Sequence, residues 1–120
     1  GGNSTVGGTS TGNITLGAAT LTDGVTLTVG TGIGNILSLS SVTGTASGSS
    51  SNLTINTTGA ATISGAVGTD IGTVTITQSG GTTFSSTVDA ATVTLTDTAD
   101  ASNITFSGNG TSKAPSSHDI

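Results

Sequence analysis

The sequence predicts an all-β fold in which the chain winds as a parallel β-helix, a β-solenoid of roughly 17–22 residues per coil. Three observations predict it. Apolar residues alternate with Thr or Ser over short runs, the period-two signature of strands buried on one face. The runs recur along the chain at related spacings. With 20 Gly, 2 Phe and no Trp, Tyr, Met or Cys, the core must also be thin rather than filled by aromatic rings.

The clearest runs lie between Gly72 and Asp97. Val74 and Ile76 point one way there, and Thr73, Thr75 and Thr77 the other. Val93 and Leu95 repeat the arrangement, with Thr92, Thr94 and Thr96 opposite. Upstream, residues 1–12 read as a loop or terminal coil around Val6. Ile14 and Leu16 then face inward, Gly17 permits a bend, and Ala19 and Leu21 resume the alternation. Asp23-Gly24 is a turn signal, because Gly tolerates positive φ and Asp hydrogen-bonds nearby backbone. Val25, Leu27 and Val29 form the next inward row, with Thr26 and Thr28 outward. Leu37 and Leu39 follow, and Ile36 marks a break in their pattern. Residues 44–51, Gly, Ser and Thr around Ala46, read as an exposed loop. Leu53, Ile55, Ala61 and Ile63 continue the inward set, and Ile104 and Phe106 close it. The repeat region is 13–110, with 111–120 as a tail or linker.

Asn13, Asn35, Asn52 and Asn103 open similar runs at separations of 22, 17 and 51 residues. Gly17-Ala18-Ala19-Thr20 recurs as Gly59-Ala60-Ala61-Thr62, and in part at Asp89–Thr92. A degenerate repeat of this length calls for stacking. Two or three aliphatic side chains per strand, at roughly 1.5–3 kcal/mol each, cannot offset an ordering cost of about 1–2 kcal/mol per residue. Coils stacked about 4.8 Å apart share their backbone hydrogen bonds and align like side chains in one core. A pilin-like β-sandwich accommodates the same short strands and is the alternative. Disorder fits poorly, since it favours the Pro, Lys and Glu that this chain nearly lacks.

Runs such as Gly12-Asn13-Ile14-Thr15-Leu16, Asn52-Leu53-Thr54-Ile55 and Val88-Asp89-Ala90-Ala91-Thr92-Val93-Thr94-Leu95-Thr96 resemble the strand repeats of bacterial surface proteins, including autotransporter passengers and filamentous-haemagglutinin-like adhesins. The resemblance spans residues 13–109. It implies a right-handed parallel β-helix, secretion to the cell surface, and a role in adhesion, a surface layer or an extracellular filament.

Six acidic residues against one basic one, a net charge of −5, exclude nucleic acid, whose phosphates need clustered Lys or Arg. Nothing in the composition attracts an anionic membrane, and no apolar run is long enough to span one. The expected partners are flanking repeats or identical subunits, and a host or abiotic surface.

Catalytic material is scarce, so no enzyme, catalytic residue or cofactor is expected. His118, beside Asp119, sits in the tail, where a Ser-His-Asp arrangement has no pre-organisation. Carboxylates for glycoside hydrolysis would come from Asp23, Asp70, Asp89, Asp97 and Asp100, most of them in turn contexts. Asp97 and Asp100 are weak calcium candidates, since turn carboxylates suit Ca²⁺ but calcium-loop spacing is absent. Six Asn-x-Ser/Thr sequons occur, at Asn3, Asn13, Asn52, Asn56, Asn103 and Asn109.

The sharpest functional feature is an exposed Thr face: Thr26, Thr28, Thr73, Thr75, Thr77, Thr92, Thr94 and Thr96. Such hydroxyl-methyl arrays resemble those of ice-binding solenoids, the third-ranked function. Thr is also a favourable strand residue toward solvent. Ser38, Ser40, Thr54 and Asn56 read as interruptions in the middle coils, which favours the plainer reading. The leading expectation is a non-enzymatic structural segment of an exported surface protein, with a self-assembling filament subunit as the alternative.

Overall fold

The computed structural model describes residues 2–45, 48–96, 102–108 and 110–112. Among them are thirteen strands and no helix, and every strand pairing is parallel. Strands joined by short connections can all pair in parallel only if each connection carries the chain round to the next level. The fold is therefore a β-solenoid, and the antiparallel pairing of a sandwich is absent from the described residues.

The coils lie on three walls, visited in constant order. The first wall holds β1 (Ser4–Val6), β4 (Thr26–Val29), β7 (Ser51–Asn56) and the later parts of β9 (Val67–Gln78) and β11 (Val88–Leu95). The second is β2 (Ile14–Leu16), β5 (Leu37–Leu39), β8 (Ala61–Ile63), β10 (Thr82–Phe84) and β12 (Ile104–Phe106). The third holds β3 (Ala19–Leu21), β6 (Val42–Gly44), the starts of β9 and β11, and β13 (Gly110–Ser112). Because β9 and β11 run unbroken round the corner from third wall to first, those two walls form one eight-stranded sheet and the second a separate five-stranded one. Gly68 at φ 130° and Asp70 at φ 57° supply the bend in β9, a backbone region that Gly and Asp tolerate best.

The expected inward rows stack directly. Leu27, Leu53, Val74 and Val93 are register partners on the first wall, followed by Val29, Ile55, Ile76 and Leu95. Ile14, Leu37, Ala61, Thr82 and Ile104 form a column on the second wall, beside Leu16, Leu39, Ile63, Phe84 and Phe106. Ala19, Val42, Val67 and Val88 line the third. All belong to one apolar cluster except Thr82 and Leu95. Thr82 is buried, with its hydroxyl 2.8 Å from Ser79 Oγ.

Coil length runs from 19 residues, Val74 to Val93, to 26, Leu27 to Leu53, so the longest coils exceed the expected range. The 17-residue spacing is not a coil. Asn35 precedes the second wall, whereas Asn52 lies within β7 on the first, paired with Thr26 and Thr73. Gly17–Thr20 likewise leads into β3 on the third wall and Gly59–Thr62 into β8 on the second. Similar words recur on different walls because every wall needs the same small corner and alternating strand. Ile36 is exposed at a corner rather than bulged from a strand. In the expected loop 44–51, Gly44 ends β6 and Ser51 begins β7, fully buried with its hydroxyl donating to Thr22 O at 2.7 Å.

Candidate functional surfaces

Of the threonines expected to form an exposed face, Thr26, Thr28, Thr73, Thr75 and Thr77 are half-buried and Thr92, Thr94 and Thr96 exposed. On the first wall one outward column reads Thr5, Thr28, Thr54, Thr75 and Thr94. Thr54 therefore continues the column that it was expected to interrupt, and Thr5 extends it by one coil. Beside it, Thr26, Asn52, Thr73 and Thr92 form a second column. Asn52 is no simple interruption, because its Oδ1 accepts the Thr73 N–H at 3.0 Å. Asn3 does the same for the Thr26 N–H at 2.8 Å. These side chains stand in for ladder acceptors between coils.

Thr77 falls out of the array. The register shifts between Ile76 and Gln78, so that Gln78 rather than Thr77 faces Asn56, and Gln78 Nε2 donates to Asn56 Oδ1 at 3.0 Å. Thr96 extends past the end of β11, tied by its N–H to Ile76 O at 2.9 Å. Ser38 belongs to another wall altogether. It sits in the outward column Thr15, Ser38, Thr62, Thr83 and Thr105 on the second wall, which the sequence reading did not single out.

Buried polar groups occupy the corner that leads from first wall to second. Asn35, only 2 % exposed, donates from Nδ2 to Ser10 O at 2.8 Å and to Gly12 O at 2.7 Å. Thr57, fully buried, places its hydroxyl 2.8 Å from Ile33 O and 2.5 Å from Asn35 O, and accepts the Gly59 N–H at 3.0 Å. One coil on, Ser79 Oγ accepts the Gly81 N–H at 3.2 Å. These residues satisfy carbonyls and amides that a tight corner takes out of the ladder. For Thr57 and Ser79 the signal in the sequence is a small hydroxyl residue followed closely by Gly, whereas Asn35 follows Gly34 and has no such mark. An open cleft of about 280 Å³ lies beside Asn35, under the loop from Gly7 to Asn13. Its lining is glycine backbone, hydroxyl, amide and the apolar Ile14, without a titratable side chain.

The described carboxylates share one corner, from third wall to first. Asp23 is in the turn between β3 and β4, with Gly24 at φ 73°. Asp70 and Asp89 lie on adjacent coils, where the β9–β11 register shifts. No three His, Cys, Asp or Glu side chains cluster closely enough to hold a metal ion among the described residues. The calcium candidates Asp97 and Asp100, and His118 with Asp119, lie outside the described residues. Of the sequon asparagines, Asn3, Asn13 and Asn103 are exposed, Asn52 and Asn56 are half-buried and tied down, and Asn109 lies outside the described set.

Fold and surface together define a parallel β-solenoid with hydroxyl-covered walls. Comparison with family models, curated proteins and solved structures gave no match. No helix among the described residues is long and apolar enough to cross a membrane.

Proposed function

We propose that this chain is a non-enzymatic structural segment of an exported cell-surface protein, an adhesin, surface layer or extracellular filament, in which stacked coils supply reach and rigidity. The observation that carries the reading is continuity: each wall is five strands deep and its inward columns run from end to end. Each coil pairs its strands with those of its neighbours, so length is gained by adding coils without redesigning the core. Neutral Thr and Ser on the outward columns keep such a rod in water with few charged side chains, Asp70 in β9 and Asp89 in β11 lying at a corner, and the absence of Cys suits export through oxidising compartments.

Antibodies raised against the purified chain test the location. They should label intact, unpermeabilised producing cells, and the epitope should disappear on brief protease treatment of those cells. Labelling that requires permeabilisation overturns the reading.

A further inference from the structure

We infer that Asn13 and Asn103 are acceptor sites for N-linked sugar, placed where the chain turns into the second wall. The inference rests on the reading of the chain as an exported surface segment and adds a modification to it. Seven Asn occur, and six of them are followed two residues later by Thr, the spacing that an asparagine glycosyltransferase recognises. The exception is Asn35, followed by Ile36 and Leu37, and it is the only buried Asn among the described residues. Strand alternation puts each Asn and the Thr two places on along the same side, so the surroundings decide which of these words is usable.

Hydrogen bonding separates the five described sequons. Asn3 Oδ1 accepts the Thr26 N–H at 2.8 Å, Asn52 Oδ1 the Thr73 N–H at 3.0 Å, and Asn56 Oδ1 the Gln78 side-chain N–H at 3.0 Å. Each of these amides is fixed against the next coil, and Asn52 and Asn56 are half-buried as well. A transferase must orient the amide itself to bring Nδ2 onto an anomeric carbon, which an amide tied into the ladder opposes. Asn13 and Asn103 are exposed and hold no side-chain hydrogen bond among the described residues. Their words are identical, Asn-Ile-Thr, with Ile14 and Ile104 packed on the core and Thr15 and Thr105 exposed.

The exposure belongs to the position and not to the first and last coils. Asn13, Ile36, Ala60, Gly81 and Asn103 each immediately precede a second-wall strand. Ladder bonds join them in order: the Ile14 N–H donates to Ile36 O, Leu37 to Ala60 O, Ala61 to Gly81 O and Thr82 to Asn103 O, at 2.9, 2.9, 2.9 and 3.0 Å. Ile36 has a coil on each side and is still 49 % exposed, and Ala60 and Thr62 are exposed too. An Asn in this column therefore stays open at the side of the rod when further coils are stacked on it. Four levels at about 4.8 Å hold the two acceptors about 19 Å apart, with the small Ala60 and Gly81 between them.

The sugar donor is a glycosyl pyrophosphate ester, linked to a lipid or a nucleoside. Nδ2 attacks its anomeric carbon, the new C–N bond replaces the sugar's bond to phosphate oxygen, and the pyrophosphate leaves with that electron pair. Nδ2 gives one proton to a base of the transferase.

The chain purified from its producing cells, digested and mapped by tandem mass spectrometry, tests the assignment. Asn13 and Asn103 should carry sugar, while Asn3, Asn52 and Asn56 should be bare. A single hexose at each site would assign a nucleotide-linked donor, and a larger preformed block a lipid-linked one. Thr15→Ala should strip sugar from Asn13 alone and Thr105→Ala from Asn103 alone, and Thr15→Ser should restore occupancy. Both threonines are exposed, so each variant should keep its sheet spectrum.

A bare Asn13 or Asn103, sugar on Asn52 or Asn56 instead, or sugar retained at Asn13 in Thr15→Ala would overturn the inference. Bare asparagines on a chain that still labels at the cell surface would leave the structural reading standing. Failed labelling would remove that reading, and the sugar map would still decide the acceptors independently.

Discussion

Phe84 and Phe106 stack face to face one coil apart, with ring centroids 4.9 Å apart and planes inclined by 7°. They are direct register partners at the end of the column that begins Leu16, Leu39, Ile63. The column changes from aliphatic to aromatic as it nears the end of the solenoid. Parallel rings at the coil spacing fill a thin lumen as successive aliphatic side chains do, and the offset-stacked preference of aromatic pairs accommodates the spacing.

The two rings should not be equivalent. Phe84 is 1 % exposed with a neighbour on each side, whereas Phe106 is half-buried at the end. Phe84→Ala should cost about 3–5 kcal/mol, the range for a buried aromatic. Phe106→Ala should cost about half as much or less, since part of its surface is already in water. Urea unfolding followed by far-ultraviolet dichroism measures both, and equal losses would mean that Phe106 is as well covered as Phe84.

Backbone contact between coils leads to a second prediction. Gly30 sits at φ 95°, and a Cβ there would overlap the carbonyl oxygen of Asn56. Its N–H donates to Val6 O at 2.8 Å in the opposite direction, so the residue is held between two coils. Gly30→Ala should therefore cost about 3 kcal/mol or more, combining strained φ with overpacking. Gly17→Ala is the control, because nothing lies within 4 Å of its Cβ position. Its measured change should stay within about 0.5 kcal/mol, as for an ordinary surface site.

What the sequence revealed follows from which forces have a period. Alternation identified the inward members Leu27, Val29, Leu37, Leu39, Leu53, Ile55, Val74 and Ile76, all now buried, because a strand's two faces are set by local geometry alone. The solenoid was legible for the same reason, since strands this thin need neighbours above and below. Register across coils was not, because corners differ in length. Val74 lies 19 residues from Val93 but Leu27 lies 26 from Leu53, and no local rule distinguishes a corner residue from a strand residue among Gly, Ser and Thr. Asn35 and Thr57 were missed because burial at a corner is decided by the next coil's carbonyls, which lie more than twenty residues away.

That dependence makes the corner testable. Asn35→Ala would leave the Ser10 and Gly12 carbonyls without the donor that Nδ2 provides. The loss should be about 2–3 kcal/mol, given about 1–3 kcal/mol for each buried group left unpaired and partial access to water at the first coil. Hydrogen exchange should show the effect as local: amides of β1 and β2 should lose protection while those of β8 and β9 keep theirs, since coils are coupled mainly to neighbours. Uniform loss of protection would mean that the coils unfold as a single unit.

The Thr columns give the last prediction. The first wall carries Thr5, Thr28, Thr54, Thr75 and Thr94 in one line, but the second wall carries an almost identical line through Thr15, Thr62, Thr83 and Thr105. The first wall alone adds a second column of mostly Thr, Thr26, Asn52, Thr73 and Thr92, but Asn52 breaks its Thr array and is held by the Thr73 N–H, so no regular two-column hydroxyl lattice is presented. Thr is placed outward on both because its methyl group packs along the strand while its hydroxyl faces water. The chain should therefore show no thermal hysteresis and leave growing ice crystals round. Thr75→Tyr and Thr83→Tyr, one on each wall, should each change stability by no more than about 0.5 kcal/mol. Faceted ice that becomes round in Thr75→Tyr but not in Thr83→Tyr would assign the first wall a lattice-binding role that the break at Asn52 argues against.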